Sequence, residues 1–246
     1  MSSMQDKTRE IKHDREIAEK AEFFWGWGTP AGKLRAARRA EMIIDEIKKR
    51  KLSKVLEIGS GTGMFTEFFR EAGLDVHGID ISLDLVKKAK AKTGEAGKVN
   101  LVTADVDHLP YRSDSFDAAV GICVLHHLDV ESALKEIKRV VKKDGIIVFS
   151  EPNMMNPQLM IQKNIKPIKR LKILGETEDE TAFFRWGMRK LLTNLGFKDI
   201  SITPFDFLHP WTPESCIPFV KKLGDCLEKT PVLKEISGSL FILAVK

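Results

Sequence analysis

Between residues 54 and 150, short apolar runs alternate with stretches whose apolar positions recur every three to four residues. The runs at 54–58, 75–79, 99–103, 116–123 and 145–150 predict five strands. The fourth is rich in small residues, which suits close backbone approach. Helices are predicted at 64–71, stopped by Gly73, then after Ser82 and after Asp129, both good N-caps. The helix after Asp129 presents Val130, Leu134, Ile137 and Val141, and Lys142 and Lys143 follow where cations suit a helix C-terminus. Strands alternating with helices at this spacing predict an α/β protein with a parallel, doubly wound sheet.

The flanks read differently. Residues 5–22 predict an exposed helix of mixed charge, followed by an aromatic, glycine-rich patch at 23–30. Residues 33–49 predict a basic amphipathic helix with Leu34, Ala37, Ile43, Ile44 and Ile47 as its apolar positions. We therefore expect an N-terminal helical cap over 1–51 and an α/β domain over 52–246. Beyond Glu151 the regularity lapses through 152–176. Thr177 and Glu180 have capping-box spacing, ahead of a helix carrying Phe184, Met188, Leu191 and Leu195 and ended by Gly196. A strand follows at 197–203 and a last one at 239–245, separated by an aromatic- and proline-bearing insertion at 204–237. Two insertions on one α/β core are expected to form a lid over substrate.

Composition narrows the class. A chain of 246 residues, 43% hydrophobic and 30% charged, is globular rather than disordered. No apolar run approaches the ~20 residues of a bilayer span, and the charged N-terminal stretch lacks the apolar region of a secretory signal. Cys123, Cys216 and Cys226 form no CxxC pair, so neither a disulfide nor a zinc site is expected, and a reducing, cytoplasmic location is. The histidines show no metal-ligand spacing, so no metal is expected. A net charge of +5 permits anionic partners without demanding them.

Candidate chemistry begins at Gly59-Ser-Gly61-Thr-Gly63, between a strand and a helix. Glycines there let the chain turn tightly and let a ligand press on the backbone, and helix N-terminal amides can face an anion. Asp80, 21 residues after Gly59 and at the end of the second strand, sits where a carboxylate accepts from ribose hydroxyls. Two nucleosides compete for such a site. An NAD fingerprint wants a third small residue at position 64, and this chain has Met64.

The sequence resembles the class I S-adenosylmethionine-dependent methyltransferases, in the small-molecule branch related to the ubiquinone and menaquinone methyltransferases. The resemblance rests on four blocks: Leu56 to Gly63, Gly78 to Ser82, Ala104 to Pro110, and Ser115-Phe116-Asp117 continuing to Val124-Leu125-His126-His127-Leu128. It covers residues 52–151 well and the insertions hardly at all. It implies a Rossmann-like, seven-stranded sheet with helices on both faces and an antiparallel last strand. It implies S-adenosyl-L-methionine as cofactor and S-adenosyl-L-homocysteine as product. Glu57, Gly59, Ser60, Gly61 and Gly63 would pass the cofactor's methionine part, Asp80 its ribose, and Ile81 and Val106 its adenine. Asp105 would accept from the adenine amino group, and Ile122 and Cys123 would line the methionine side.

The acceptor is less legible. A sulfonium methyl is already activated, so alignment in a dry pocket is the main demand, with a base for acceptors of high pKa. His126 and His127 after the fourth strand and Glu151 after the fifth lie at the sheet's carboxyl edge, where open α/β sheets bind ligands. They are the candidate catalytic residues; the competing readings are a histidine that orders a helix start and a glutamate that orients a loop. Cys123 reads as a packing residue rather than a nucleophile. Trp25, Trp27 and Trp211 are candidate substrate-binding residues, with Trp25 and Trp27 read equally as an aromatic lid or as an anchor for the N-terminal helix. Arg35, Arg38 and Arg39 read as a solvated basic face, with a cofactor-carboxylate partner as the alternative. Lys163, Lys166, Lys169, Arg170 and Lys172 interleave with apolar residues, a pattern that suits a solvated helix, a phosphate-bearing or lipid-linked acceptor, or peripheral contact with an anionic membrane. Against the small-molecule reading stand an RNA or protein methyltransferase, motivated by a pI near 9.0, and a non-catalytic cofactor-binding protein of the same fold.

Overall fold

The computed structural model describes residues 4–94, 99–164 and 182–246. Seven strands form one sheet: β1 (Lys54–Ile58), β2 (Asp75–Asp80), β3 (Val99–Thr103), β4 (Phe116–Ile122), β5 (Val141–Pro152), β6 (Lys198–Phe205) and β7 (Ser239–Val245). Their order is β3-β2-β1-β4-β5-β7-β6. The first five run parallel, and β7 runs antiparallel to both β5 and β6. This is the doubly wound sheet with an antiparallel last strand that the sequence led us to expect.

The strands are apolar on both sides because both faces are covered. On one face α3 (Pro30–Lys49) and α4 (Met64–Glu71) pack against Val55, Val76, Val120, Ile146 and Val148. On the other, α6 (Val130–Val140) and α8 (Arg185–Asn194) cover Leu56, Ile58, Ala119, Ile147 and Phe149. Helix α5 (Leu83–Thr93) adjoins α4, its Val86 and Ala89 packing on Leu101. Ser82 and Asp129 cap α5 and α6 as the sequence indicates, each accepting from the amide three residues on.

Three details depart from the sequence reading. The inward face of α3 is Ala36, Arg39, Ala40, Ile43 and Ile47, whereas Leu34 is 48% exposed. These residues share a core with the sheet, so packing is continuous across residue 51. Strand β5 begins at Val141, which ends α6 early; Lys142 then bonds Asp117 across the strands rather than serving a helix terminus. Helix α8 starts at Arg185 with Phe184 at its N-cap, while Thr177 and Glu180 lie outside the described residues.

The N-terminal segment is α1 (Met4–Ile17), a single 3-10 turn and α2 (Ala21–Phe24). It is docked rather than free, with Ile17 and Ala21 buried against Leu85 of α5. The late insertion carries α9 (Ile217–Glu228), and α7 (Pro157–Asn164) follows β5.

Candidate active site

β1 delivers the chain to the glycine loop at the sheet's carboxyl edge. Gly59 has φ 71°, and a Cβ there would stand 2.7 Å from Val124 Cγ2. Gly61 has φ 51°, and a Cβ would meet the Trp25 ring at 3.3 Å. Left-handed backbone and near-zero clearance together explain glycine at both positions. Beneath the loop, buried Glu57 accepts from the Thr66 hydroxyl at 2.5 Å. Burial pushes its carboxyl up to about 8, the Thr66 bond opposes this, and the neighbouring Asp80 adds to it. Ser60 Oγ is buried with no hydrogen-bond partner among the described residues.

Asp80 ends β2 beside this loop. It is 8% exposed; Oδ2 accepts from Gly61 N at 2.8 Å and Oδ1 from Ser82 N at 2.9 Å. Burial raises its pKa and the backbone donors oppose the rise. Ile81 follows, half-buried. Past β3, Asp105 accepts from Asp107 N at 3.1 Å and from Lys7 Nζ at 2.6 Å, and Val106 is buried behind it. Burial would raise the Asp105 pKa, but the Lys7 ammonium, the Asp107 amide and His108 together more than offset it, so the carboxyl is held below its usual range. The loop, Asp80 and Asp105 thus stand at the carboxyl ends of three adjacent strands.

Across β4 from this group lie the other candidates. Ile122 is buried, and Cys123 turns the chain at φ 53°. Burial, reinforced by the Glu151 charge, pushes the Cys123 thiol up to about 12, which removes it as a nucleophile. Glu151 is wholly buried; Oε1 accepts from Val124 N at 3.0 Å and Leu125 N at 2.9 Å, and Oε2 lies 2.8 Å from His126 Nδ1. The rings of His126 and the half-buried His127 lie 4.1 Å apart. The structure brings the three candidate catalytic residues together, with Glu151 fastening the turn that carries both histidines.

Residues 56–149 match the family model described as a methyltransferase domain. That stretch is similar to methyltransferase domains. Among its relatives are a malonyl-[acyl-carrier protein] O-methyltransferase of Hamiltonella defensa, 37% identical over 43% of this chain and 39% of the relative, and a demethylmenaquinone methyltransferase of Paenarthrobacter aurescens, 29% identical over 54% and 51%. The chain spans about half the length, or less, of these relatives. The fold recurs in magnesium protoporphyrin IX methyltransferase from Synechocystis PCC 6803, solved with bound SAH. The TM-score is 0.66 at 17% identity, covering 98% of this chain and 99% of that one.

Over the glycine loop lies the N-terminal segment. Glu22 accepts from the Thr62 hydroxyl at 2.8 Å and from Lys92 at 2.9 Å. Lys7 also reaches Asp107 at 2.6 Å, and Lys88 bonds the Ala18 carbonyl at 2.6 Å. The three tryptophans separate. Trp25 covers Gly61; Trp27 is 7% exposed, edge-on to Phe65 and under Arg35 and Arg39; Trp211 stands 5.1 Å from Phe23. Trp25 therefore lies against the glycine loop, while Trp27 is buried between α3 and α4. Residues 23–30 also meet the late insertion directly, Thr29 Oγ1 donating to the Pro210 carbonyl at 2.5 Å.

The basic face expected on α3 is paired instead of solvated. Arg38 forms two bonds with Glu228, at 2.8 and 2.6 Å. Arg35 and Arg39 both bond Asp206 Oδ2, at 2.8 and 2.6 Å. An acid between Phe205 and Phe207 was the signal for a buried partner. Lys7 and Glu22 gave no signal, because they sit in a charged helix with ordinary spacing. Among the described residues no His, Cys, Asp and Glu cluster could hold a metal, and no helix is long and apolar enough to cross a membrane. Lys166, Lys169, Arg170 and Lys172 lie outside the described residues, as does the side chain of Lys163.

Proposed function

We propose that the chain transfers the methyl group of S-adenosylmethionine to an oxygen, nitrogen or carbon nucleophile of a small-molecule acceptor. The reading is carried by one observation: a left-handed glycine loop, a buried Asp80 and a half-buried Asp105 at the ends of β1, β2 and β3. The residues fit the cofactor. Gly59 and Gly61 let the backbone take its left-handed turn, Ser60 Oγ is buried and, among the described residues, unpartnered, and each Asp80 oxygen, though bonded to an amide, retains a lone pair for a ribose hydroxyl.

When bound, the cofactor supplies a methyl group already activated by its sulfonium. The chain's own part is to orient, to exclude water and to handle a proton. Asp80 holds the ribose and Asp105 receives the adenine amino group as Lys7 yields. Glu151 is a positioning residue, since its oxygens already serve two amides and His126. His127, the more exposed of the pair, takes the proton where the acceptor requires a base. Trp25, Trp211 and the chain around Pro210 roof the pocket. Free Cys123, Cys216 and Cys226 suit a reducing, cytoplasmic setting.

Alanine at His127 tests the acceptor half of this reading. Turnover should fall by about 10²-fold or more with SAH affinity intact, as expected for a lost general base; unchanged turnover would move the base elsewhere.

A further inference from the structure

On the α3 face of the sheet, beyond β4 from the glycine loop, sits a charged cluster for which the methyl-transfer reading gives no use. Arg39 is 0% exposed. Its Nη2 bonds Asp206 and Ser239 Oγ, its Nη1 bonds the Arg35 carbonyl, and its buried Nε has no partner among the described residues. Arg35 spends only Nε on Asp206; among the described residues nothing accepts from its Nη1 or Nη2, although its side chain is just 14% exposed. The Asp206 carboxyl is pulled far below its usual range despite burial, by these two arginines, so it is ionised. Two guanidiniums facing one carboxylate leave one positive charge unanswered. His209 adds none, since burial and Arg35 both lower its pKa.

The surroundings define what could answer that charge. Trp27 and Phe205 lie against the guanidiniums, and Phe241 packs edge-on to Phe205. Ser150, wholly buried on the same side of β5 as Val148 by strand alternation, also has a hydroxyl unpartnered among the described residues. An unfilled two-donor fork, a single spare charge and aromatic walls match a planar monoanion on an apolar body. A phosphate dianion would bring a second charge, and the described residues of this cluster offer no second free cation to meet it.

Position says whose anion it is. Asp206 follows β6 and Ser239 opens β7, so the cluster spans the β5-β7-β6 side, opposite the cofactor strands. We infer that Arg35, held by Asp206 and backed by Arg39, is a receptor for the carboxylate of the methyl acceptor. This rests on the methyltransferase reading and narrows its acceptor to carboxylate-bearing, aromatic or apolar molecules.

The test measures 3-phenylpropionate and 3-phenylpropionamide by calorimetry on SAH-saturated protein. The carboxylate should bind at least about tenfold tighter than the amide. Arg35→Gln should abolish that preference, Arg35→Lys should restore part of it, and Arg38→Gln, which removes a cation already held by Glu228, should leave it intact. SAH affinity should stay within about twofold in all three, with thermal melts confirming folding. Equal affinity for the two probes, or no binding of either to wild type, overturns the inference. So does an Arg35→Gln protein that loses SAH instead, because the fork would then hold the cofactor's own carboxylate. Failure of wild type to bind SAH at all would strike the parent reading separately.

Discussion

Lys7 crosses 98 positions of sequence to place its ammonium 2.6 Å from Asp105, the carboxylate assigned to the adenine amino group. The same nitrogen touches Asp107 at 2.6 Å. The N-terminal helix therefore competes with the ligand for one acceptor. Partly exposed pairs of this kind contribute about 0.2–1 kcal/mol each. Lys7→Ala should bind SAH about two- to tenfold more tightly, with faster association by stopped-flow. Weaker binding would mean that Lys7 supports the ligand rather than displacing it.

Asp80→Asn keeps shape and one acceptor but removes the charge. Losing charge-assisted bonds to ribose hydroxyls should cost roughly 1.5–3 kcal/mol of SAH affinity. The Gly61 and Ser82 amides also depend on this side chain, so a melt must accompany the titration. A folded Asp80→Asn protein with wild-type affinity would displace the ribose from β2.

Glu57 gives a pH signature. Its carboxyl holds its proton to about 8 in the fold, against 4.5 for the free group. A raised acid pKa means that the folded state binds the proton more tightly. Its contribution is complete below 4.5 and is lost as pH climbs to about 8. Glu57→Gln removes this term, up to a ceiling of roughly 5 kcal/mol. Melts from about pH 5 to pH 8 should show the variant gaining on wild type as pH rises; a constant difference would contradict the buried, protonated Glu57.

Glu151→Ala leaves the Val124 and Leu125 amides and His126 without their shared acceptor. Each unmet buried group costs about 1–3 kcal/mol. Denaturant unfolding should show a loss of several kcal/mol, more than for His127→Ala. A neutral Glu151→Ala would return Glu151 to the catalytic candidates.

The sheet was legible because its strands are short, apolar on both faces and punctuated by glycine. β1, β3, β7 and α4 begin and end where the sequence pattern places them. The glycine loop, Asp80 and Asp105 were legible because their spacing is local to βα units. The arginines of α3 were not, because an amphipathic helix shows its cations but not their partner 167 or more residues away. Lys7 was hidden for the same reason. Glu151 was placed correctly at the end of β5, yet its three donors come from the turn after β4, a contact that only folding creates.

The central claim is met most directly by calorimetry of the wild-type chain with S-adenosylmethionine, S-adenosylhomocysteine and NAD in parallel. The account predicts saturable one-to-one binding of the first two, weakened by Asp80→Asn, and no heat from NAD. Binding of NAD, or of neither S-adenosyl compound by protein that melts cooperatively, would contradict it.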